Sequence, residues 1–184
     1  MVKRLILLIF TLTLLSACKS TLEITNRSDP KDFPSIEFLG VTGNYYGEIV
    51  MDVPEEIRND EFDITRADLF ADIFADTLWT TEAVEITVDF YIGLESGNID
   101  MDDPDINQYL ITVVITEQDQ HNLVEITDCA LLRKGMKQEI FYLKARIALD
   151  AATSVYGVLH LDDNYFVAYL ERETEGLFPI FYLF

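Results

Sequence analysis

The stretch from Asn98 to Asn107, Asn-Ile-Asp-Met-Asp-Asp-Pro-Asp-Ile-Asn, is dense in side-chain oxygen. Asn98, Asp100, Asp102, Asp103 and Asp105 would present carboxylate and amide oxygens from one loop. Ca2+ takes about six to eight such ligands. A helix-loop-helix calcium site would also have Gly at the sixth position and Glu at the twelfth, where counting from Asn98 finds Asp103 and Tyr109. What remains is an irregular calcium loop or a solvated acidic loop between strands. Asp68, Asp72 and Asp76 repeat at four-residue spacing and form a second candidate, a ridge for docking a partner or a cation, or simply a wet face. Zinc is disfavoured, because His121 and His160 have no cysteine at ligand spacing. Cys129 lies in the apolar run Cys129-Ala130-Leu131-Leu132 and is expected to be a buried, unreactive thiol. There is no Gly-x-Ser-x-Gly elbow and no glycine-rich phosphate loop. Pairing acids on paper is uninformative with 33 carboxylates, since the separation that matters is spatial. No cofactor and no catalytic residue is therefore expected, with Ca2+ as the one open ligand.

These residues need elements to hold them. Leu69, Phe70, Ile73, Phe74 and Leu78 fall at helical spacing, which predicts one amphipathic helix from Thr65 to Thr80. Thr65 or Asp63 would cap it, and Asp68, Asp72 and Asp76 would line its wet face. Val84 to Ile92 and Phe141 to Leu149 alternate apolar and polar, the mark of half-buried strands. Residues 36–42, 45–51, 109–117, 121–132, 154–161, 165–171 and 178–184 are β-branched or aromatic enough to join them. Short links at Gln118-Asp119-Gln120, Lys134-Gly135 and Asp162-Asp163-Asn164 favour antiparallel neighbours. The expected class is α+β and mainly β: an antiparallel meander sheet, open or rolled into a partial barrel, with the helix packed on it. The tail Leu177-Phe178-Pro179-Ile180-Phe181-Tyr182-Leu183-Phe184 reads as a final strand completing the core, or as a hydrophobic docking segment.

The start of the chain has a different grammar. Lys3 and Arg4 precede an apolar run from Leu5 to Leu15, a length that suits an export signal and falls short of a membrane span. The run closes with Leu15-Ser16-Ala17-Cys18, which resembles the lipobox of bacterial lipoproteins. That resemblance covers residues 1–18. It implies cleavage between Ala17 and Cys18 and two or three acyl chains on Cys18, enough for stable anchoring. By the sorting rule of enteric bacteria, Lys19 in place of Asp favours the outer membrane over the inner. Residues 1–17 are then the signal, 18–35 a flexible tether rich in Ser, Asn and Pro, and 36–184 one globular domain.

Without Lys3 and Arg4 the 13 basic residues become 11 against 33 acidic, a formal balance of −22. Such acidity argues against nucleic acid and against electrostatic attachment to an anionic bilayer. It suits a basic partner, divalent cations or plain solubility. The leading expectation is a lipid-anchored module of the cell envelope that binds a protein or envelope component without catalysis, including an immunity-type protein that neutralises a basic toxin. A second expectation is a carrier. Leu39-Gly40 and Asn44-Tyr45-Tyr46-Gly47 resemble the Gly and aromatic opening of calycin-like barrels, without their Trp, and imply an enclosed apolar ligand. An envelope hydrolase ranks last.

Overall fold

Along residues 67–76, Ala67, Leu69, Ala71, Ile73 and Ala75 point one way and Asp68, Phe70, Asp72, Phe74 and Asp76 the other. That is a strand's alternation. A computed structural model describes residues 19–40, 43–79, 84–97, 108–149 and 155–175. Among the described residues there are nine strands: β1 Lys19–Arg27, β2 Ile36–Leu39, β3 Gly43–Asp52, β4 Asp63–Trp79, β5 Val84–Gly93, β6 Gln108–Ile115, β7 Asn122–Ile126, β8 Ile140–Leu149 and β9 Tyr156–Glu175. Two short helices, α1 Glu55–Arg58 and α2 Ala130–Gly135, complete the described elements. The mainly β, antiparallel class expected from the sequence is the class observed.

The strands form two sheets. One has the order β1-β9-β4-β7, with β2 also paired to β9; the other is β3-β8-β5-β6. β5 and β6 are consecutive and paired. The remaining neighbours come from distant parts of the chain, so most connections pass from one sheet to the other. The sheets pack face to face around a single core. Phe141 of β8 meets Phe166 of β9 with ring centroids 5.4 Å apart, and Phe33 before β2 meets Phe90 of β5 at 6.4 Å. Val84, Ile86, Val88 and Phe90 fill this layer from one sheet; Leu69, Ile73, Leu161 and Leu170 fill it from the other. Cys129, Leu132 and Met136 close one end around α2, and Cys129 is fully buried.

Four expectations change. The helix over 65–80 is replaced by β4, because its length is hydrogen-bonded to β9 and β7. Backbone pairing along two neighbours outweighs a helical stripe that a strand reads equally well. The two sheets do not close into a barrel, so the calycin-like interior is not formed. Its proposed opening is instead a change of sheet, with Gly40 at φ +76° between β2 and β3. Residues 19–35 are not a free tether: β1 pairs with β9 throughout, Phe33 and Ser28 are buried, and Lys31 bridges Asn164. A polar strand is held there because ladder bonds use only the backbone.

The expected turn at Asp162-Asp163-Asn164 is absent as a turn. β9 runs straight through it, and the extra residues form a bulge between the pairs Phe70/Tyr165 and Asp72/Asp162. Asp163 takes φ +50° there. Asn164 is fully buried and bonds back to the carbonyls of Lys31 and Leu161. The predicted strand 178–184 and the loop 98–107 lie outside the described residues.

Candidate functional site

The outward face of the five-stranded sheet carries side chains in transverse rows, because strands about 4.8 Å apart stack residues of equal height. In the first row, the Tyr165 ring of β9 lies between Arg27 of β1 and Phe70 of β4. The guanidinium carbon is 3.5 Å from the Tyr165 centroid, and Phe70 stacks at 4.9 Å with planes 11° apart. In another row, Phe74 of β4 lies between two imidazoles. His160 of β9 stacks on it at 4.7 Å, and His121, just before β7, sits at 4.4 Å.

Between these rows runs an acidic one, Asp162 of β9 opposite Asp72 of β4. Asp72 Oδ2 is 2.6 Å from His121 Nδ1, while its Oδ1 is buried and has no hydrogen-bond partner among the described residues. His160 Nε2 is 3.3 Å from Asp76 Oδ2, and its Nδ1 is 4.0 Å from Asp162 Oδ2. The bulge adds Asp163, whose backbone N–H donates to Asp32 Oδ1 at 2.9 Å. Burial pushes the Asp162 carboxyl above the ordinary aspartate range; Asp32 pushes it further, His160 opposes, and Asp163 and Asp72 add to the rise. Asp32, Asp72 and Asp163 thus crowd around Asp162.

Asp68, the first of the candidate ridge, plays another part. It is fully buried beneath Arg66, whose Nε donates to Oδ1 at 2.7 Å, and the Asp128 N–H reaches the same oxygen at 3.0 Å. Burial alone would raise its pKa, but the Arg66 and Asp128 hydrogen bonds and the Arg66 charge outweigh that and hold it below the usual range. Asp68 thus pins the approach to α2 onto β4. Asp72 and Asp76 share its face of the strand, each beside a histidine.

A half-open cavity of about 300 Å3 lies between the aromatic and acidic rows, lined by Arg27, Phe70, Asp72, Leu123, Asp163 and Tyr165. Leu123 of β7 is 85% exposed beside it. Strained backbone and bulges collect at functional sites, and here a non-glycine residue at positive φ forms part of the cavity wall. His121 and His160 lie far apart in the sequence. Nothing local to them reveals that Phe74 gathers both, since the contacts span 47 and 86 positions along the chain.

The opposite outer face, on the four-stranded sheet, neutralises itself. Arg146 donates to Asp89, its Nε at 2.6 Å. Lys144 Nζ is 2.8 Å from the Gly97 carbonyl and 3.4 Å from Glu48 Oε2. Glu48 also accepts from the Ser96 hydroxyl and the Gly97 N–H, tying residues 96–97 over the face. Among the described residues, no group of three or more His, Cys, Asp or Glu is placed to hold a metal ion. The candidate calcium ligands Asn98, Asp100, Asp102, Asp103 and Asp105, like Ala17 and Cys18, lie outside the described residues.

No family model matches this chain, and no curated protein matches it. Among solved structures, it is similar to TmCBM61 in complex with beta-1,4-galactotriose, at 6% identity and TM-score 0.39, over 83% of this chain and 88% of that one. It is also similar to infectious bursal disease virus, Gx strain, at 14% identity and TM-score 0.36, over 88% of this chain and 39% of that one. A third similarity is to desmodium yellow mottle tymovirus, at 10% identity and TM-score 0.32, over 85% and 90%. Likenesses at this level carry no residue and no ligand across to this chain.

Proposed function

We propose that this chain is a lipid-anchored, non-enzymatic binding module of the bacterial envelope that docks a basic protein on the outer face of its five-stranded sheet. The observation that carries the reading is the crowding of Asp32, Asp72, Asp162 and Asp163 beside an open cavity with aromatic walls. A cationic side chain entering there would set its charge against this cluster of carboxylates, and its aliphatic stem against Phe70 and Leu123. The net charge of −20 supplies long-range steering toward such a partner. Arg27 sits over the Tyr165 ring at the far wall, where it would orient the partner's own carboxylates.

Affinity capture with the mature protein from envelope and secreted fractions, at low and high salt, tests this. One basic protein, retained at low salt, released by high salt and lost with Asp72→Ala, supports the reading. Capture that ignores both salt and Asp72→Ala would overturn it, as would recovery of a small molecule and no protein. The anchor is tested separately by feeding cells a labelled fatty acid. Label on the wild type and none on Cys18→Ala supports acylation of Cys18, and label retained by the variant would remove the assignment.

A further inference from the structure

The geometry points to the partner's C-terminus, a basic last residue with its free α-carboxylate, as what fills the cavity of the five-stranded sheet; this rests on the docking reading above. The cavity, about 300 Å3, is walled by charges of both signs: Arg27 of β1, and Asp72 of β4 with Asp163 of the β9 bulge. Arg27 holds its guanidinium carbon 3.5 Å from the Tyr165 centroid, and Phe70 stacks on that ring from the β4 side. The chain has 33 acidic residues against 13 basic, and Arg66, Arg133, Arg146 and Arg172 each pair with a carboxylate. Arg27 pairs with none among the described residues. Stacking covers a face of its guanidinium and leaves the N–H edge to fork onto a carboxylate. Asp72 is 9% exposed, and its Oδ1 has no partner among the described residues.

A cation alone uses half of this cavity. The Arg27 guanidinium lies level with the Phe70–Tyr165 stack, and Asp72 is two residues along β4 from Phe70. Strand geometry therefore sets the two charges roughly 10 Å apart. A lysine or arginine at a chain end carries an anion and a cation on one residue and bridges a gap of that order. Its aliphatic stem would then cross the aromatic wall between Phe70 and Leu123. An internal basic residue offers Arg27 only neutral peptide groups, and its chain must leave a half-open cavity in two directions. A chain end leaves in one. A ligand with a carboxylate and no cation is repelled by the net charge of −20, so the anion has to arrive attached to a cation. Capture of a terminal carboxylate by fixed N–H donors is a recurring mode of peptide recognition.

The test titrates the mature protein, by calorimetry, with N-acetyl-Gly-Ser-Gly-Arg as the free acid and as the C-terminal amide. The acid is neutral overall and the amide carries one positive charge, so attraction to an acidic surface alone favours the amide. The expected order is the reverse, with the acid tighter by about tenfold or more, the worth of one good charge-assisted pair. Arg27→Gln should then put the amide ahead. If that variant fails to fold, Arg27→Lys keeps the charge without the fork and should shrink the preference. An amide that binds wild type as well as the acid does would overturn the proposal and leave the docking of a cation standing. A preference for the acid that survives Arg27→Gln would overturn it by giving the carboxylate to another group. Free arginine binding more tightly than the acid would overturn it in favour of a small molecule. Binding of neither peptide also overturns it; the capture experiment then decides separately whether a basic protein docks by other contacts.

Discussion

Asp72 Oδ2 lies 2.6 Å from His121 Nδ1, joining the second strand from the sheet edge to the residue that leads into the edge strand β7. The imidazole is 54% exposed and the carboxylate is nearly covered, so the pair presents a wet face and a dry one. Its other oxygen, Oδ1, has no partner among the described residues. That makes Asp72 a poor investment for stability and a good one for recognition.

Asp72→Ala is accordingly expected to change folding stability by no more than about 1 kcal/mol, the range of half-exposed pairs. The same variant should lose capture of a basic partner. Urea denaturation beside the capture experiment checks this. A large stability loss with capture intact would assign Asp72 to the fold instead.

Asp162→Asn should raise stability at neutral pH by roughly 0.5 kcal/mol while weakening partner capture. Burial and the neighbouring acids raise the folded pKa of Asp162 above its unfolded value. The folded state therefore holds this proton more tightly, and the group's penalty grows as pH rises through that interval. Urea midpoints for wild type and variant should converge below pH 4 and separate above the folded pKa. Equal midpoints at all pH values would remove the strain argument.

Asp68 works in the opposite direction. Its folded pKa is depressed, so its contribution is fully present above the unfolded value near about 4 and is lost as pH falls through the folded one. Asp68→Ala strips the Asp128 N–H and Arg66 of their shared acceptor and is expected to cost about 1–3 kcal/mol. Denaturant titration at neutral pH measures the loss, which should shrink in acid.

Gly47 of β3 has a backbone conformation any residue can adopt, yet a Cβ there would stand 2.8 Å from the Phe33 ring. Phe33 is buried and also meets Phe90, so it has little room to yield. Gly47→Ala should destabilise by about 1–3 kcal/mol, the range of overpacked cores. A thermal midpoint at the wild-type value would show that Phe33 moves freely.

By itself, the sequence determined the β class, most strand positions and the burial of Cys129. Val84 to Ile92 and Phe141 to Leu149 write their alternation locally, and a thiol inside an apolar run has one natural environment. The state of residues 65–80 was undetermined, because four is close to a helical turn and also a multiple of two. Asp68, Asp72 and Asp76 share a face in either state. Only pairing with β9, about ninety positions away, decided for a strand. The same pairing turned Asp162-Asp163-Asn164 from an apparent turn into a bulge and brought His160 to Phe74, while the pairing of β4 with β7 brought His121 there. A separate ladder, β1 with β9, drew residues 19–27, polar enough to read as a tether, into an edge strand. Each of these outcomes depends on backbone hydrogen bonds between remote segments, and such bonds leave no mark in the side chains of either partner.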